Sequence, residues 1–271
     1  MPTLLAIFCS LALTVTPLRP DPSAALFPKP VHLQYVHRLV LDPGHGGDNL
    51  GALGAAGVRE KALTLEIARH VAQFIRQHSD ADVVLTRETD VALDLRQRPR
   101  KANEVKGDAF ISIHTNAHEI GEATGMEVFF LAADASAETV RQLIEREEGI
   151  AADLPTAALP WSVSSIVCEM NHAQALSRSQ AWAVALADAL QRMRPRARFR
   201  GVRQAPFGVL KEALMPAVVL EVGYITQLAE ARTLLEERTH TQFAAAVLLA
   251  MQALDRQLAQ EDAGRKPCAP K

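Results

Sequence analysis

Short apolar runs alternate with longer stretches of helical spacing along this chain. Residues 38–42 (Arg-Leu-Val-Leu-Asp) are an apolar run that stops at Pro43-Gly44-His45-Gly46-Gly47, a strand broken by a glycine-rich turn. From Glu60 to His78 the residues Leu63, Ile67, Val71, Phe74 and Ile75 recur at helical spacing, with Arg69, Gln73 and Arg76 turned away. Residues 82–86 read as a β-branched strand, 93–105 as a helix, 109–113 as a buried strand and 126–131 as a further strand. An amphipathic helix follows over 182–193, then a strand over 217–220 and a closing helix over 243–258. This order predicts an α/β fold: a twisted, mostly parallel sheet with helices on both faces, in a single domain over 37–258. Residues 132–179 combine an acidic helical segment with Pro155 and Pro160 and read as an insertion between strands.

The ends of the chain have a different character. The apolar run from Thr3 to Val15 has 13 residues, too few to cross a bilayer as a helix but of signal-peptide length, so the chain is read as not transmembrane. Ser23-Ala24-Ala25 fits cleavage after Ala25, which gives a signal peptide over 1–25 and a Pro-rich linker over 26–36. Residues 259–271 read as a polar tail. Export, in the sense of a periplasmic location, is the expectation.

Composition narrows the function. With 29 Lys+Arg against 31 Asp+Glu and 5% aromatic residues, the chain lacks the basic excess and stacking rings of a nucleic-acid binder. Removal of residues 1–25 would leave Cys168 and Cys268, so no disulfide framework is expected.

Parallel sheets place their ligands beyond the carboxyl ends of their strands. His45 follows the first strand, His114 the third and Glu221 the strand over 217–220, while Glu60 opens the helix after the glycine loop. Two histidines with one glutamate can hold a catalytic zinc, and a further carboxylate can take a water proton. Singly, His45 is explicable as a turn residue, His114 as a strand-end residue and Glu60 by the helix dipole. Glu221 in an apolar run is less easily explained. The spacings of 15, 54 and 107 residues match no local metal motif. His70, His78, His118, His172 and His240 read as surface or structural residues, and Arg194, Arg196 and Arg198 as a solvated turn.

Four blocks carry a resemblance: Leu41-Asp42-Pro43-Gly44-His45-Gly46-Gly47, Gly57-Val58-Arg59-Glu60-Lys61, Ser112-Ile113-His114-Thr115-Asn116-Ala117 and Leu220-Glu221-Val222-Gly223-Tyr224-Ile225. Their order and spacing resemble the zinc-dependent N-acetylmuramoyl-L-alanine amidases of the amidase-3 type, over roughly residues 37 to 256. The segments containing Arg87, Arg98, Glu127 and Phe207-Gly208-Val209-Leu210 resemble that family's supporting motifs. The resemblance implies a Zn2+ cofactor on His45, Glu60 and His114, and Glu221 as the catalytic glutamate. It implies peptidoglycan as substrate, cut at the amide between N-acetylmuramic acid and L-alanine. Asn116 either orients substrate or caps its strand.

In one branch of the similar amidases an inserted helix covers the site until an activator protein with a LytM-type domain displaces it. Here Val140, Leu143 and Ile144 form an apolar stripe beside a carboxylate-rich remainder. Glu145, Glu147 and Glu148 are therefore candidate autoinhibitory residues; a solvated surface helix is the other reading. A non-catalytic cell-wall binding module with the same fold is the alternative from another class, favoured by loss of any of the four site residues, and none is lost. A metal-dependent glycan deacetylase would share the metal site but carry different motif blocks.

Overall fold

The computed structural model describes residues 26–119, 121–132 and 163–264, the side chains of 163–173 excepted. Strands β1 (Arg38–Pro43), β2 (Asp82–Leu85), β3 (Ala109–Asn116), β4 (Met126–Leu131), β5 (Phe199–Ala205) and β6 (Ala217–Tyr224) form one sheet in the order β2-β1-β3-β6-β4-β5. β4 runs antiparallel to β6, and the other four pairings are parallel. The helices are α1 (Glu60–His78), α2 (Gln97–Glu104), α3 (Val163–Met193), α4 (Leu228–Leu234) and α5 (Glu237–Gly264), with a 3-10 turn over Gly208–Leu210.

Every residue of β3 and β6 is buried, as expected for central strands covered on both faces. Alternation then sorts their side chains. Leu39, Leu41, Ile111, Ile113, Val218 and Leu220 meet α1, α3 and α5 through residues such as Ile67, Trp182 and Phe243. Val40, Phe110 and Val219 face the other way, onto Ala102 of α2 and onto Phe207, Val209 and Leu210. Cross-strand register puts Asp42, Ser112, His114 and Glu221 on this second, more thinly covered face.

The structure departs from the sequence-based reading at several places. α2 begins at Gln97 rather than 93, because Pro99 has no N–H and is tolerated only in a first turn. β5 and α4 were not expected. α3 runs unbroken through residue 179, so 163–179 belong to a framework helix, and the Ser179 hydroxyl accepts the Ala217 N–H at 2.9 Å. α5 reaches Gly264, six residues into the expected polar tail.

Residues 26–36 are docked rather than extended: Phe27, Leu33 and Val36 are buried, Asp255 accepts the Tyr35 and Val36 N–H groups, and Val31 N–H donates to His78 O. Arg194 is buried with its guanidinium 4.7 Å from the Phe243 ring centre, while Arg196 and Arg198 are exposed as expected. No described helix is long and apolar enough to cross a membrane. The expected signal peptide and the segment carrying Glu145, Glu147 and Glu148 lie outside the described residues.

Phe243 sits at the meeting point of the core helices and under Arg194, with its ring fully buried. Phe243→Ala should cost about 3–5 kcal/mol in urea unfolding with an unchanged m-value. A loss below about 1 kcal/mol would contradict this packing.

Candidate active site

The site is built on the turn that leaves β1. His45 has a φ of 58°, a left-handed conformation that a residue with a Cβ adopts only at a cost of about 1–3 kcal/mol. Its three neighbouring carbonyls explain how it is held there. Arg98 donates to Pro43 O at 2.8 Å and His45 O at 2.9 Å, and Arg87 to Pro43 O at 3.0 Å and Gly44 O at 2.7 Å. The Thr64 hydroxyl adds a bond to Gly44 O at 2.9 Å.

Both arginines are buried. Burial and the neighbouring Arg98 push Arg87 down to about 10, so it stays charged at neutral pH. Asp42, wholly buried on β1, is the counter-ion: it accepts from Arg98 at 2.9 Å, from Ser112 Oγ at 2.7 Å and from Thr86 Oγ1. Gly44 is needed for a different reason, since a Cβ there would lie 2.5 Å from the His114 ring.

The turn brings His45 against two residues far away in sequence. His45 Nε2 lies 3.1 Å from Glu60 Oε2, His114 Nδ1 lies 3.4 Å from Glu60 Oε1, and the two rings meet edge to face with centres 5.0 Å apart. Adjacent ligands of a tetrahedral zinc stand about 3.3 Å apart, given bond lengths of about 2.0–2.1 Å. The three buried donors, all within 4.8 Å of one another, therefore fit a metal of that kind.

Two of the three donors, His45 and Glu60, are also oriented from behind. Asn49 Oδ1 accepts Gly51 N–H at 3.3 Å, which identifies it as the oxygen, so the 2.9 Å contact with His45 Nδ1 places the imidazole proton there and turns the Nε2 lone pair inward. Glu60 accepts Thr115 N–H at 2.8 Å and Ala52 N–H at 3.0 Å. Burial raises its proton affinity, but hydrogen bonds to His114 and His45 outweigh this and hold the carboxyl well below the usual range.

Glu221, buried on β6, stands directly opposite His114 in the β3–β6 register. Opposite Glu221 on the other side is Glu127 of β4, also buried. Asn116 donates from Nδ2 to Glu127 Oε2 at 2.9 Å, so it ties β3 to β4 across the end of β6. In the sequence Glu127 stands only inside a supporting motif. Its signal, a carboxylate in an otherwise apolar strand, was the same one that singled out Glu221.

A small cleft beside the histidines is lined by Leu93, Leu95, Phe207 and Val209. The remaining described histidines stand apart from this cluster, and His240, expected to have no companion, packs against His70 with ring centres 5.7 Å apart.

Fold and site together define an α/β protein with a mostly parallel sheet and a His-Glu-His metal-type cluster at the carboxyl ends of its parallel strands. The sequence matches the family N-acetylmuramoyl-L-alanine amidase (Amidase_3) over residues 39–253, and the chain belongs to that family. It is 31% identical over 201 residues to the amidase AmiA of Escherichia coli K12, which covers 72% of this chain and 68% of AmiA. It is 28% identical over 218 residues to AmiC of Escherichia coli O6:H1, covering 79% of this chain and 52% of AmiC, so the chain spans about half the length of that relative. The catalytic domain of CwlV, an amidase from Bacillus (Paenibacillus) polymyxa, superposes with a TM-score of 0.59 at 25% identity, covering 83% of this chain and 98% of that domain.

The orienting bond from Asn49 gives a direct check on this geometry. Asn49→Ala should weaken zinc binding about 10- to 100-fold in competition with a chromophoric chelator, the usual effect of losing such a partner. Unchanged affinity would contradict the fixed imidazole.

Proposed function

We propose that the chain is a zinc-dependent hydrolase of peptidoglycan that cuts the amide between the lactyl group of N-acetylmuramic acid and L-alanine. The observation that carries this reading is the buried His45-Glu60-His114 cluster with Glu221 in register beside it, in a chain that belongs to the amidase family. Zinc held by these three residues would supply Lewis acidity toward the scissile carbonyl and the attacking water.

The protein's own groups do the rest. Glu60 contributes the one negative charge of the ligand set, and its backbone donors keep it from swinging away. Glu221 accepts the proton of the attacking water and delivers it to the departing amide nitrogen, which leaves as a neutral amine. Asn116, fixed by Glu127, stands beside Glu221 at the same edge of the sheet and orients the substrate there. The lactyl side of the substrate occupies the cleft at Leu93, Leu95 and Phe207, and the peptide leaves over Glu221 toward β4 and β5. Such a substrate places the enzyme outside the cytoplasm, in accord with the apolar run from Thr3 to Val15.

His114→Ala should lose most bound zinc by elemental analysis, and retention of about one zinc per chain would refute the ligand set. Glu221→Ala should keep its zinc while turnover falls on the order of a hundredfold or more. Unchanged turnover with intact metal would remove Glu221 from the mechanism.

The resemblance to activator-controlled amidases extends the proposal to regulation: one of Glu145, Glu147 and Glu148 would restrain the site at rest, and a LytM-domain partner would release it. Because α3 packs against the core from within the expected insertion, deletion of the whole segment would damage the fold, and point changes are the better test. Replacing all three glutamates by Gln should raise basal activity on purified sacculi. A folded, zinc-loaded variant no more active than the parent would exclude self-inhibition through these residues.

A further inference from the structure

Beyond Glu221 the same row of the sheet ends in positive charge. Glu127, 4% exposed, receives two guanidinium groups on one carboxylate oxygen, Arg203 Nε at 3.3 Å and Arg200 Nε at 3.4 Å, while its other oxygen takes Asn116. Two residues three apart on a regular strand point to opposite faces. Here they share one. Met126 pairs with Phe199 and Val128 with Val202, so β5 carries one extra residue against β4, and Gly201 at the bulge has a φ of 123°. The bulge restores the parity that brings Arg200 and Arg203 to the same carboxylate.

The arrangement exceeds what holding the sheet together requires. The Glu127 carboxylate faces two guanidinium groups, one cation more than it can neutralise by itself. Arg200 is fixed further by the Thr124 carbonyl at 3.3 Å and by the Tyr224 ring, 5.3 Å away. The Arg203 side chain remains 52% exposed and meets Glu127 through Nε, so the outer edge of its planar group carries the paired donors that a carboxylate accepts bidentately.

We infer that Arg203 and Arg200, set by Glu127, form the subsite that recognises a free carboxylate on the peptide side of the scissile amide. This rests on the proposed reaction, in which the amine departs over Glu221 and so toward β4 and β5. β5 lies two strand spacings from β6, about 10 Å, and an extended peptide advances about 3.3 Å per residue, so the recognised carboxylate lies two to three residues beyond the cut. The subsite makes the enzyme selective for acidic stem peptides over their amidated counterparts.

The test uses the full zinc-loaded chain and a matched pair of N-acetylmuramoyl tripeptides, one with free carboxylates and one with those groups converted to amides. The parent should prefer the acid. Arg203→Ala should raise KM for the acid about tenfold with kcat within about twofold, and leave the amide unaffected. Arg203→Glu should lose more on the acid than Arg203→Ala does. Equal losses on both substrates, the mark of a structural role, or no loss on the acid would overturn the inference. Calorimetric binding of the same pair to Glu221→Gln protein separates the two levels. Acid-selective binding that depends on Arg203, without turnover by the parent, would uphold the subsite and refute the proposed reaction. Turnover with equal binding of acid and amide would do the reverse.

Discussion

A single buried carboxylate, Asp42, sets the conditions under which the rest of the site can exist. Two guanidinium groups in the interior of a protein repel each other and lose their hydration, and neither would be stable there without a counter-charge. Asp42 supplies it through Arg98 and is itself satisfied by Ser112 and Thr86 from the flanking strands. The arginines then spend their remaining donors on the carbonyls of Pro43, Gly44 and His45. That clamp is what makes the left-handed conformation of His45 tolerable, and that conformation is what points the imidazole at Glu60.

The sheet converts this local clamp into a line of chemistry. Because β3 and β6 are in register at His114 and Glu221, and β6 and β4 at Glu221 and Glu127, one face presents a histidine, a carboxylate and a second carboxylate on successive strands. The antiparallel entry of β4 places Glu127 beside Glu221, and the bulge in β5 completes the row with two arginines. The proposed metal ligand, proton carrier and peptide-recognition groups thus follow one another across the sheet. The other face, packed by α1, α3 and α5, holds the strands in that register.

Much of this was legible in the sequence where the signal was local. The stripe of α1 and the apolar runs of β3 and β6 report burial directly, and His45, Glu60, His114 and Glu221 stand where strands end or helices begin. β5 was not legible: Phe-Arg-Gly-Val-Arg-Gln-Ala has no clean alternation, because the bulge breaks the period of two and an edge strand keeps its charges. Arg194 read as solvated because the ring that receives it, Phe243, lies 49 positions away. The clamp on the His45 turn left no pattern either, since its acceptors are backbone carbonyls, which any residue supplies. Arg87 and Arg98 could be marked as recurring motif residues, but their purpose required the fold.

Everything proposed for this site turns on which bond is cut, and mass spectrometry of purified sacculi incubated with the zinc-loaded chain identifies that bond. Cleavage at the lactyl amide should release soluble peptides that begin with a free L-alanine amine, and leave glycan strands that keep their N-acetyl groups and carry bare lactyl carboxylates. Sacculi whose peptides stay attached, or glycans that have lost acetyl groups instead, would contradict it.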